Sequence, residues 1–142
     1  MKHLRSTNGP TVDSEWAEYR KYLQSIKDSI PDALFRFAQL NLHDSQVLRI
    51  TTPRKNSLSI VLSKPAYEDI DSITITVERV AKAFAPEKFV NQWLWGHEVA
   101  LSDLALFEIR AKLLTGELFI CANSFTMEIE PIAPANGRSS RR

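Results

Sequence analysis

Leu40-Asn41-Leu42-His43-Asp44-Ser45-Gln46-Val47-Leu48-Arg49-Ile50 is the stretch at which the chain changes period. Upstream of it the apolar residues recur at helical spacing; downstream they alternate, as in strands. Trp16, Tyr19, Leu23, Ile26 and Ile30 follow one another at steps of three, four, three and four. That stripe predicts a helix from about Ser14 to Ser29, capped by Asp13, with Arg20, Lys21, Gln24, Lys27 and Asp28 on its polar face. Pro31 ends it. Ser29 and Asp32 then resemble a capping box opening a second, short helix whose apolar surface is Leu34, Phe35, Phe37 and Ala38.

Downstream of the junction, Val47–Thr51 and Ser57–Ser63 read as strands joined by the turn Pro53-Arg54-Lys55-Asn56. The polar residues 64–71 form a linker, and the β-branched run Ile73, Ile75, Val77 marks a third strand. Residues 81–92 read as a loop or as a short helix begun at Pro86. Strands at 93–101, 107–113, 118–122 and 125–130 complete the series, with Thr115-Gly116 and Ala122-Asn123-Ser124 as turns. Connections this short call for antiparallel neighbours. The expected architecture is α+β: two N-terminal helices on one face of a six- or seven-stranded antiparallel meander sheet. Residues 1–11 and the tail 133–142 read as disordered flanks of a single domain spanning 12–132.

Composition narrows the function classes. The chain has 142 residues, one cysteine (Cys121) and a formal net charge of +1. One cysteine forbids an internal disulfide and favours a reducing compartment. Neither a secretory leader nor a membrane span is visible, so a cytoplasmic location is expected. Of the 18 lysines and arginines, Lys2, Arg5, Arg138, Arg141 and Arg142 lie in the flanks and none of the 17 acids does, so the body carries 13 cations against 17 anions, net −4. A groove tracking phosphodiesters needs the opposite sign, which argues against a nucleic-acid partner.

The chemistry-bearing candidates are two His–acid pairs. His43-Asp44 sits at the junction and His97-Glu98 lies in the strand that also carries Trp93 and Trp95. A general base with an orienting carboxylate, or a divalent-metal site formed by all four, is the functional reading. Structural roles compete with it: adjacent residues in extended chain point to opposite sides, and Asp44 is well placed to satisfy a helix-to-strand turn with His43 packed beside it. No H-E-x-x-H, CxxC or G-x-S-x-G spacing is present, the four glycines build no phosphate loop, and no cofactor is expected. Cys121 reads as a buried strand residue. Trp93 and Trp95, expected on one strand face, are candidate partner contacts or core cover.

Leu42-His43-Asp44-Ser45-x-Val47 followed by Trp93-Leu94-x-x-x-Glu98-Val99 resembles the pattern of small uncharacterised bacterial α+β domains, some grouped with the immunity proteins of polymorphic toxin systems. This chain departs from that pattern in the Trp95-Gly96-His97 insert before Glu98. The resemblance implies a non-enzymatic intracellular protein that binds and blocks a toxin, and the acidic body suits a basic one. A small metal-assisted hydrolase using His43, Asp44, His97 and Glu98 is the alternative, and a homodimer or other homo-oligomer built on a sheet edge is a further one.

Overall fold

The computed structural model describes residues 12–63 and 70–131. The expected disordered flanks and residues 64–69 of the expected linker lie outside them, whereas Ile70 and Asp71, expected in that linker, belong to a strand. The apolar stripe folds into helix α1 (Val12–Ile26), which starts before Ser14 so that Asp13 lies within it rather than capping it, and which tightens into a 3₁₀ turn at Lys27–Ser29. Tyr19, Leu23, Ile26 and Ile30 are buried, whereas Trp16 is half exposed and tilted over Tyr19. Helix α2 (Asp32–Gln39) buries Leu34, Phe35, Phe37 and Ala38. The three larger side chains contribute about 1.5–3 kcal/mol each. The Ser29–Asp32 capping box does not form. The cap position falls on Pro31, which has no side-chain cap, because Ser29 is consumed by the preceding 3₁₀ turn.

The strands are β1 (Val47–Thr51), β2 (Ser57–Ser63), β3 (Ile70–Glu78), β4 (Lys82–Phe84), β5 (Leu94–Leu101), β6 (Phe107–Leu113), β7 (Gly116–Ala122) and β8 (Ser124–Pro131). All pairings are antiparallel, but the expected single meander sheet of six or seven strands is replaced by two four-stranded sheets, ordered β1-β2-β3-β8 and β4-β7-β6-β5. Part of the 81–92 region is the strand β4; Pro86 does open a helical turn, a 3₁₀ one at Glu87–Phe89.

The division has a physical origin. β3 runs into β4 while β7 runs into β8, and the two form one continuous ribbon: Glu78 faces Ser124 in the first sheet and Lys82 faces Cys121 in the second. The ribbon bends at Arg79–Ala81 and Asn123, so each chain changes sheet there. Asn123 locks the elbow by donating Nδ2 to the Arg79 carbonyl at 3.0 Å, and the Ala81 N–H bonds to the Cys121 carbonyl at 2.8 Å. A second seam joins the sheets through residues 44–47 and 91–94: Val47 N–H to Gln92 O, Asn91 N–H to Val47 O and Leu94 N–H to Ser45 O. One core fills the space between. Ile60, Ile73, Ile75 and Val77 come from the first sheet, and Phe107, Ile109 and Ile120 from the second. Helix α2 contacts both β8 and β5, with Phe37 against Phe125 and Phe125 against Phe107.

Candidate functional site

The seam at 44–47 and 91–94 lays the turn that carries His43 and Asp44 against β5, the strand that itself holds His97 and Glu98. The Ser45 N–H bonds back to the Leu42 carbonyl at 2.9 Å, closing a tight turn in which Asp44 takes a positive φ of 73°. Asp is among the few residues that tolerate that region. The turn aims His43 at β5, where its Nδ1 lies 3.0 Å from the Trp95 carbonyl oxygen. A carbonyl only accepts, so Nδ1 carries the proton and Nε2 faces outward, 3.6 Å from Asp44 Oδ1. Both side chains are well exposed, which leaves that contact with little energetic weight.

His97 belongs to a different environment. It is buried, and its Nε2 donates to the Phe37 carbonyl of α2 at 2.8 Å while its ring meets the Phe37 ring edge-on. Burial pushes its pKa down and the bond to the carbonyl opposes this. His97 therefore ties the end of α2 to β5. Glu98, the next residue, points to the opposite side of the strand. It is 1 % exposed, and its Oε1 has no hydrogen-bond partner among the described residues. The cation directly across the ladder, Arg110, is committed elsewhere: Nε to Glu108 at 3.2 Å, Nη1 to Glu117 at 3.1 Å, with its guanidinium over the Phe119 ring. Desolvation accordingly raises the Glu98 carboxyl to about 7, with Glu117 adding to the rise and Arg110 opposing it.

The four expected site residues thus divide into an exposed pair and two residues on opposite faces of β5. Among the described residues no group of three His, Cys, Asp or Glu side chains is placed to share a metal ion. Cys121 is buried and accepts from Ser102 Oγ at 3.3 Å.

Trp93 and Trp95 are the largest side chains left in solvent near the seam, 55 % and 62 % exposed, on either side of the buried Leu94. Trp93 forms a lone bridge with Gln46, and Trp95 has no residue opposite it on β6, because the ladder steps from Leu94–Leu113 to Gly96–Lys112. The seam hydrogen bonds and His43 hold this backbone, and the His43 ring stands edge-on to Trp95, centroids 6.3 Å apart.

Residues with no sequence signal complete the border of β5. The Tyr19 hydroxyl accepts from the Val99 N–H at 2.7 Å, and the Tyr22 hydroxyl accepts from the Leu101 N–H at 3.0 Å. Tyr19 reads in sequence only as a member of an apolar stripe. Its role depends on which strand α1 lies beside, and only long-range packing decides that.

No helix among the described residues is long and apolar enough to cross a membrane. Comparison with curated proteins and with solved structures finds no match. A family profile matches residues 5–119, from before α1 into β7. The chain belongs to the family described as "Protein of unknown function (DUF4085)".

Proposed function

We propose that this protein is a protein-binding module that grips a basic partner through the Trp93/Trp95 surface, with His43 and Asp44 at its margin. The observation that carries the reading is the pair of indoles, more than half exposed and presented from a backbone fixed by the seam and by His43. Exposed tryptophans on a rigid support are the usual anchors of binding hot spots, each losing about 2 kcal/mol or more on truncation. The net charge of −4 between the flanks supplies attraction toward a cationic surface. A toxin-neutralising, immunity-like role is the specific form this takes, with a basic toxin as the partner.

Affinity capture from a lysate of the source organism tests it, wild type against the Trp93→Ala/Trp95→Ala double variant. The expected result is a basic protein retained by the wild type, lost by the variant, and released as salt rises through about 0.5 M. With that protein purified, each single variant weakens binding by about thirtyfold. Equal retention by the double variant, or retention of acidic proteins alone, refutes the reading.

A further inference from the structure

The elbow of the β3β4/β7β8 ribbon encloses a feature that the Trp93/Trp95 reading leaves unused. A cleft of about 530 Å³ opens there, lined by Arg54, Lys55, Asn56, Glu78, Arg79 and Asn123 among others. Its size falls within the range of small-molecule sites, roughly 300–1,000 Å³, but its charged walls suit an anion rather than an apolar ligand. Three cations face one carboxylate, giving a local surplus of positive charge on a body whose net charge is −4.

Those cations keep most of their donors. Arg54 pairs with Glu78, yet a guanidinium has five N–H groups and one carboxylate engages at most two. Lys55 has no ion-pair partner among the described residues. The Arg79 guanidinium makes one long bond, Nη2 to the Asn123 carbonyl at 3.5 Å.

The backbone supplies an independent argument. Four described non-glycine residues have positive φ: Asp44, Asn56, Arg79 and Asn91. Three are Asp or Asn, the side chains that accept this region most readily. Arg79, at φ 52°, is the exception, and it lines the cleft. The elbow explains why some residue must take that conformation, but Asn or Gly would take it with less strain. A cation held at a strained position is a pointer to function.

We propose that this cleft binds a small phosphate-bearing anion, with Arg79 as its anchor and Arg54 and Lys55 as supporting cations. Planar guanidinium forks match phosphate oxygens bidentately, and a lysine adds a mobile point charge.

Amide-resolved NMR titration of the full chain with inorganic phosphate and with pyrophosphate, at constant ionic strength, tests this. The expected result is saturable shifts confined to Asn56, Arg79, Val80, Ala81 and Asn123, with a Kd for pyrophosphate near or below about 1 mM. Arg79→Asn weakens binding at least about tenfold while thermal stability stays level or rises. Lys55→Ala, in an exposed turn, weakens it several-fold with no effect on folding, and Arg36→Gln on α2 binds as the wild type does. Tighter binding of pyrophosphate assigns a polyphosphate-bearing ligand, and equal binding assigns a single phosphate; both uphold the site. Shifts that fail to saturate, spread over all basic residues, or persist undiminished in Arg79→Asn overturn it.

Discussion

Glu98 makes stability pH-dependent in an unusual sense. Its carboxyl titrates near pH 7 in the folded protein against an ordinary value of 4.5, because β5 buries it where no described residue donates to Oε1. Between those two values the unfolded chain has released a proton that the folded chain retains, so stability falls as pH rises through that window and levels off above it. At about 1.4 kcal/mol per pH unit the full loss is about 3 kcal/mol, or roughly 10 °C in Tm for a chain of this size. His97 works the other way: its lowered pKa makes the folded state lose stability as pH falls below 6.5. The two slopes overlap in wild type. The measurement is therefore a difference: urea unfolding followed by tryptophan fluorescence at pH 5 and pH 8, wild type against Glu98→Gln. Any fixed penalty from burying the amide cancels between the two pH values. The variant is expected to gain about 2.5 kcal/mol relative to wild type on going from pH 5 to pH 8, since pH 5 already lies above the ordinary carboxyl value. Parallel behaviour of the two proteins would refute the reasoning, and would mean that the carboxyl is ionised and satisfied in the fold.

Two further substitutions probe the border of β5 and the junction turn. Tyr19→Phe removes the acceptor of the buried Val99 N–H and is expected to cost about 1–3 kcal/mol, with faster hydrogen exchange at the Val99 amide; unchanged exchange there counts against the contact. Asp44→Ala places a methyl-bearing residue without a polar side chain at φ 73° and is expected to lower stability by about 1 kcal/mol, while Asp44→Asn stays within about 0.5 kcal/mol; differential scanning calorimetry separates the two.

The two helices and most strands are legible in the chain because their signal is local. The stripe from Tyr19 to Ile30 and the alternation through Ile73, Ile75 and Val77 each report which side of an element faces the core. Sheet membership is not local. Ala122-Asn123-Ser124 is so short a connection that β7 and β8 read as hairpin partners, yet they continue one another around a bend and pair with different strands. A sharp turn and a sharp elbow have the same polar, flexible composition; what separates them is the partner strand, more than forty positions away at Glu78–Lys82. The candidate site divides in the same way. His43 at the junction and the exposed tryptophans are visible as residue types in suggestive places. That His97 turns inward to α2, or that Arg110 is taken up by Glu108 and Glu117, depends on register, which no short motif encodes.

The phenols of α1 bear on how copies of this protein treat one another. An unpaired strand margin offers a row of hydrogen-bonding groups to any passing extended segment, the first step toward fibrillar association. Here two hydroxyls and an imidazole, each delivered from a neighbouring element, engage those groups one by one. The opening helix thereby acts as a guard rail: conditions that loosen it while the sheets persist would bare the β5 margin as a template for strand addition.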